Sequence, residues 1–307
     1  MKQSLPSSTH SRRDFLKAAA GTAFTVAMSR ASAAQDTVFS LRYNLASSMF
    51  GELTLDEILP EASRIGANTI DIWPRPHGNQ REQWDAMGDN AFVTLLKTYG
   101  VQLGMITRYD LGPYGLEDEL RLAGNLGARL IVTGSGNIEG DSIKSRVQTF
   151  IERMKPHIEV AEEVGVTIAI ENHGNALIES LDSLRYLAEF TPSDKLGIAL
   201  APYHLPQEPE TIASLIRDIA PRLAHFYAWE HGHGAHDKMP KALEMKQLPG
   251  YGSLDFGPVV GALRDIDYAG WTSVFMHPVP RGIPILPTAT EVSAAMNRSR
   301  EYLDSLI

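Results

Sequence analysis

The sequence predicts a single (β/α)8 barrel, an α/β fold, and three observations carry the prediction. A helical stretch, a glycine and an apolar strand recur along the chain. The strands are continuous apolar runs, and eight of them alternate with helices over a length suited to one barrel. The recurring device appears at SRIGANTIDIW, KTYGVQLGMI, GNLGARLIVTG, EEVGVTIAIE and DYAGWTSVFM. In each, a glycine (Gly66, Gly100, Gly127, Gly165 or Gly270) stands where a helix needs a left-handed C-terminal residue. Unbroken apolar strands are what a parallel sheet covered by helices requires. FSLRYNLAS, KLGIALAPYH and LAHFYAWEH bring the strands to eight, and no Pro/Ser-rich linker divides the chain. The structural alternative is a doubly wound open sheet, but the first strand-to-helix turn lacks the G-x-G-x-x-G that would hold a dinucleotide.

The first 33 residues read as separate from this fold. Arg12 and Arg13 precede Phe15, Leu16 and Lys17, then an apolar stretch from Ala18 to Met28 and the small residues Ala31-Ser32-Ala33. That is the layout of a twin-arginine export signal with its cleavage site. The expected organisation is therefore a signal peptide at 1–33 and a barrel at 34–307, exported to the periplasm by the twin-arginine machinery. The apolar stretch is shorter than the about 20 residues a bilayer span needs, so no stable membrane insertion is expected. Without the signal, the 28 basic and 37 acidic residues fall to 23 and 36, a formal charge of −13. Such a surface repels phosphate backbones and excludes nucleic acid as a partner. No cysteine is present, which removes disulfides, thiolate ligands and cysteine nucleophiles together.

In a barrel of this kind chemistry sits at the C-terminal ends of the strands. The fifth strand, within GVTIAIENHG, stops being apolar at Glu171, Asn172 and His173. The second ends with Asp71, Trp73 and His77, and the third with Arg108 and Tyr109. The sixth gives Tyr203 and His204, the seventh Tyr227, Trp229, Glu230 and His231, and the eighth His277 followed by Arg281. Buried charges cost several kcal/mol unless paired or metal-bound, so ionisable groups from several strands on one rim mark a site. Glu171, His204 and His277 are the candidate catalytic groups. Trp73, His77, Arg108, Asn172, His173, Tyr203, Tyr227, Trp229, Glu230 and Arg281 are candidates for substrate binding. The loop HGHGAHD spaces His231, His233 and His236 either as metal ligands or as a glycine-rich lid, and only His231, nearest the strand, enters the candidate site.

The fifth-strand IENHG, the helix opening SLDSLRYL, the sixth-strand PYH and the terminal GWTSVFMHP resemble the xylose-isomerase-like TIM barrels. This is the sugar phosphate isomerase/epimerase superfamily, which includes ketose 3-epimerases, inosose dehydratases and endonuclease IV. The likeness spans essentially the whole mature chain. It implies one divalent metal held by a Glu, an Asp, a His and a Glu on strands five to eight, with the two glutamates exchanging protons with a substrate carbon. Glu171 matches the first ligand, while the others fall at Ala201, Tyr227 and His277; His204 matches a His three residues after the sixth-strand position. The implied metal set is Glu171, His204, His231 and His277, suited to Zn, Mn or Fe. With one family carboxylate kept, Glu171 as base and His277 or His204 as acid fit enolisation or β-elimination.

The function expected from the resemblance is an exported isomerase, epimerase or lyase acting on a small sugar, keto-sugar or glycoside. Arg108 would anchor a carboxylate or ring oxygen, and Trp73 or Trp229 would stack on a sugar face. Two alternatives stay open: a barrel that binds sugars without chemistry, and a glycoside hydrolase pairing Glu171 with Glu230.

Overall fold

Apart from Met1, the computed structural model describes residues 39–232 and 236–307; His233 and the rest of the expected signal peptide lie outside them. The elements in order are β1 (Arg42–Tyr43), β2 (Leu45–Ala46), α1 (Leu55–Arg64), β3 (Thr69–Ile72), α2 (Gln80–Met87) and α3 (Asp89–Thr98). There follow β4 (Gln102–Thr107), α4 (Glu117–Leu126), β5 (Leu130–Gly134), α5 (Ile143–Val164), β6 (Thr167–Glu171), α6 (Leu181–Phe190) and β7 (Leu196–Leu200). The chain closes with α7 (Pro209–Asp218), β8 (Leu223–Ala228), α8 (Lys241–Glu244), α9 (Gly257–Asp265), β9 (Trp271–Val274) and α10 (Ala289–Asp304).

Neighbouring strands pair in sequence from β2 through β9, every pair parallel, and β1 pairs with β9. β1 and β2 are halves of one strand parted at Asn44: the first half joins β9 and the second joins β3. The Asn44 N–H donates to Thr272 O at 3.0 Å, so the split strand closes the ring. The nine segments thus occupy the eight strand positions of a (β/α)8 barrel, as the sequence predicts.

Local chemistry explains the helix ends. α1, α5, α6 and α10 each begin with a reciprocal capping box, on Thr54, Ser142, Ser180 and Thr288. Gly127 and Gly165 close α4 and α5 in the left-handed region, at φ 84° and 74°. The last unit departs from the expected pattern. There Asp267, at φ 50°, is the left-handed residue, not Gly270. Gly270 answers a steric demand instead, because a Cβ on it would lie 2.5 Å from the Tyr268 hydroxyl and 2.7 Å from Ala224 O.

A period of two lies hidden inside the apolar strands. On β6, Ile168 and Ile170 share one face, while Thr167, Ala169 and Glu171 share the other. On β3, Ile70 and Ile72 oppose Thr69 and Asp71; on β8, Phe226 and Ala228 oppose His225 and Tyr227. The isoleucine faces serve the packing against the helices, where Leu184, Leu187, Ile212 and Ile216 are wholly buried. The other faces carry polar groups into a buried environment: Asp71, Glu171, His225 and Tyr227 are all buried. A barrel interior normally filled by branched apolar residues is here polar toward its mouth.

Two devices fix the strand ends around that mouth. Asn172 donates from Nδ2 to Ala201 O at 3.0 Å and accepts from Ala201 N at 2.7 Å, tying the ends of β6 and β7 together. Each end of its buried amide makes one backbone hydrogen bond, so Asn172 acts as a strand clamp. Arg108, after β4, donates to Asp110 at 2.9 Å and to Glu119 of α4 at 2.6 Å, while Arg81 binds the same Glu119. The Arg108 guanidinium, expected as a substrate anchor, is ion-paired here and joins α2 and α4 through Glu119. A cavity of about 550 Å³ opens at the other end of the barrel, among Thr69, Gln102, Leu130, Thr167, Leu196 and Trp271 at the strand starts. No acid–base pair of the site lines it, so volume and chemistry part company here. Asn172→Ala strands two buried backbone groups and is expected to lower the unfolding free energy by about 2–4 kcal/mol, read from urea denaturation.

Candidate functional site

The site is built outward from Glu171, the last residue of β6. Its carboxyl group is buried, and the Tyr109 hydroxyl donates to Oε2. Gly134 at the end of β5 lies beside the Tyr109 ring, where a Cβ would make van der Waals contact at 3.4 Å. Asp71, on β3, is also wholly buried. It accepts from the Thr107 hydroxyl at 3.0 Å through each oxygen and from the Trp73 indole N–H. Burial pushes the Glu171 carboxyl well above the ordinary range, and the nearby Asp71 charge pushes it further. Burial likewise lifts Asp71 to about 7, against the opposing hydrogen bonds from Thr107 and Trp73. Tyr227 of β8 faces the same pair: burial and then the charges of Glu171 and Asp71 push its hydroxyl up.

The imidazoles form the next layer. His204 ends the short 3-10 turn Pro202–His204 after β7, and its Nε2 lies 4.0 Å from Glu171 Oε1. Gly174 N donates to His204 Nδ1 at 3.4 Å, which makes Nε2 the protonated nitrogen of the neutral ring. Burial, then the neighbouring His173, lowers His204 to about 3, so it is neutral under ordinary conditions. The His173 ring lies 4.3 Å from that of His204, and its Nδ1 donates to Gly174 O at 2.9 Å. His277, after β9, stacks on His77 at 4.7 Å. Burial, then the Arg281 charge, holds both of these rings down, with His77 at about 4.

Aromatic rings wall the space. Tyr203 stacks on Trp229 at 4.0 Å, Trp73 on Phe275 at 5.4 Å, and His277 meets Trp229 edge-on at 5.2 Å. A cavity of about 250 Å³ opens beside Trp73, His77 and Tyr109. Trp229 is buried and its indole N–H donates to Gln247 Oε1 at 3.0 Å, so it is wall and support together.

Other candidates fall away from this space. Glu230 accepts from Leu254 N at 2.7 Å and from the backbone at Gly252 and Ser253, which assigns it to the 252–254 loop. The two-carboxylate pairing of Glu171 with Glu230 loses its second member. His231 is exposed, with its ring 5.0 Å from Tyr203. The residues expected to hold a metal do not fit one: among the described residues no group of three or more His, Asp or Glu side chains is placed as a ligand set. Glu171 and His204 approach each other, but His277 is engaged with His77 and His231 stands outside. Two members of the site were undervalued by sequence reasoning. Asp71 and Tyr109 both stood at strand ends in the sequence, but neither carried a role; Arg108 drew attention from its neighbour by its charge.

Comparison with known proteins is consistent with this architecture. The IolI protein, whose structure is described with a binding zinc atom, is 15% identical, with a TM-score of 0.68 over 86% of this chain and 98% of that one. A probable 3-DHS dehydratase, AsbF of Bacillus anthracis, is also 15% identical, with a TM-score of 0.63 over 83% and 97%. D-psicose 3-epimerase from Clostridium cellulolyticum H10, solved with D-tagatose, is 16% identical, with a TM-score of 0.63 over 86% and 100%. No curated protein matches the sequence. Residues 59–302 match the model of the xylose isomerase-like TIM barrels, and the chain belongs to that family.

Proposed function

We propose that this protein is a sugar isomerase, epimerase or lyase that moves a proton next to a carbonyl, with Glu171 as base and His204 as the neutral hydrogen-bond donor. The observation that carries the reading is the pairing of a buried carboxyl with an imidazole Nε2–H 4.0 Å away, on one barrel mouth. A carboxylate raised by burial is a stronger base once ionised, and a neutral imidazole polarises a carbonyl without presenting a full charge. Glu171 takes the proton from the carbon beside the carbonyl. The His204 Nε2–H donates to the carbonyl oxygen as negative charge develops on it. Return of the proton to a different position gives an isomer or epimer, and loss of a group from the next carbon gives elimination. The Tyr109 hydroxyl fixes the carboxylate that does this work. The epimerase and dehydratase among similar structures support the same class of chemistry. The Arg12–Arg13 segment supports a periplasmic location; recovery of the protein only from the cytoplasm of its native cells would exclude it.

The test is solvent exchange. Incubated in D2O with a panel of aldoses, ketoses and 3-keto-sugars, the wild type is expected to place deuterium beside the carbonyl of at least one, seen by NMR. Glu171→Gln should keep its circular dichroism spectrum and lose exchange by about 10²–10⁴-fold. Exchange at the wild-type rate in that variant removes Glu171 as base. A pH profile gives a second test. The base must be ionised, and its proton affinity is raised by burial and by Asp71, so kcat should fall as pH drops through a value well above the ordinary carboxylate range. Asp71→Asn removes the charge that raises Glu171 and should move this limb to lower pH. An acid limb at the ordinary carboxylate value of about 4 would contradict the buried pair.

A further inference from the structure

Among the described residues, Arg281 at the mouth of the barrel makes no ion pair with a carboxylate. Arg281 stands on the loop after β9, four residues beyond His277. Its Nη1 donates to Pro278 O at 3.0 Å, and this is its hydrogen bond within the described structure. Other arginines near this end are satisfied: Arg75 binds Glu52, Arg81 binds Asp85 and Glu119, and Arg108 binds Asp110 and Glu119. The acid closest in influence to Arg281 is Glu244, and it is taken by Lys241 and by Val279 N at 2.8 Å.

The surroundings sharpen the contrast. Arg281 is half-buried on the loop that follows β9 at the C-terminal end of the barrel, and its charge reaches His77 and His277, adding to the lowering that burial causes, and Tyr203, where it opposes the rise that burial causes. Asp71 and Glu171, deeper in the same mouth, hold their protons more tightly than ordinary carboxyls. A guanidinium has five N–H donors in a planar fork, and desolvating it without an anion is costly. With the His77–His277 and Tyr203–Trp229 stacks at the same mouth, a guanidinium on this loop has the fork geometry suited to a planar monoanion. A phosphate dianion would want a second cation, and Lys241 is already committed to Glu244.

Resting on the sugar reading above, we propose that the substrate is a sugar acid, whose carboxylate is held by Arg281 while its ring lies among Trp73, Tyr203 and Trp229. The probes are D-glucuronate, its methyl ester, D-glucose, D-glucose 6-phosphate and acetate, with binding measured by calorimetry and tryptophan fluorescence. Wild-type protein should bind glucuronate at least tenfold more tightly than the ester or glucose, with the preference shrinking as salt rises. Arg281→Met should abolish that preference, and Arg281→Lys should restore part of it. Equal affinity for glucuronate and its ester, or a preference that survives in Arg281→Met, overturns the proposal. Tighter binding of the phosphate than of glucuronate overturns the carboxylate assignment. If no sugar binds but acetate perturbs the wild type and not Arg281→Met, the sugar reading fails while the carboxylate site stands. If acetate is silent too, both fall.

Discussion

Two carboxyl groups enclosed in one dry mouth, Asp71 and Glu171, set the terms for everything around them. Neither has a cation beside it; both are held by hydrogen bonds from neutral donors, the Tyr109 and Thr107 hydroxyls and the Trp73 indole. Burial disfavours the charged form of each, and the Asp71 charge adds to this at Glu171, so both retain protons that exposed carboxyls would release. The native state therefore binds protons that the unfolded chain gives up above about pH 4. The stabilisation they contribute is complete at low pH and is lost as pH rises through the folded value, about 7 for Asp71. The mouth is thus a place where fold stability is traded for basicity, a pattern expected of functional sites.

Neutral imidazoles follow from the same constraint. A cationic histidine beside Glu171 would pull its proton affinity back down and remove the advantage of burial. Instead His204, His77 and His277 are all held neutral by burial. The backbone settles the orientation of the critical one: Gly174 N–H occupies Nδ1 of His204, which leaves Nε2–H toward the carboxyl. A substrate carbonyl seated between them would meet a base on one side and a donor on the other, which is the arrangement that enolisation needs.

The fold was legible in the sequence because its signals are local. Capping residues, helix-ending glycines and apolar runs each report on a few neighbouring positions, and they place the strands well. The inner face of each strand was harder to see, because Thr167 and Ala169 do not break an apolar run and Glu171 reads as its end. The candidate site was legible in its rim and not in its partnerships. His204 beside Glu171 could be anticipated from two strand ends of one barrel. That Arg108 turns away while Tyr109 turns in depends on Glu119 in α4 and on Glu171 in β6, the second remote in sequence. Asn172 looked like a ligand for substrate because an amide after a strand is ambiguous; its partner is the backbone of Ala201.

Ala201 shows how the mouth departs from the metal-holding arrangement that the family resemblance suggested. Both backbone groups of this residue are fixed by Asn172, so the strand end stays where a ligand-bearing strand would hold it, yet a methyl group replaces the ligand. At the next position Tyr227 brings a hydroxyl toward Asp71 and Glu171, a group that keeps its proton in that setting. His277, in turn, is absorbed into a stack with His77. The three changes point the same way: each replaces a site for positive charge by a neutral donor or an apolar wall. A pocket altered so can keep its carboxylate base only by tolerating the base's higher proton affinity, and that is the state in which Glu171 is found. On the proposed reading of Glu171 as base, burial and the neutral hydrogen bond from Tyr109 occupy the place that a cation's field would otherwise fill.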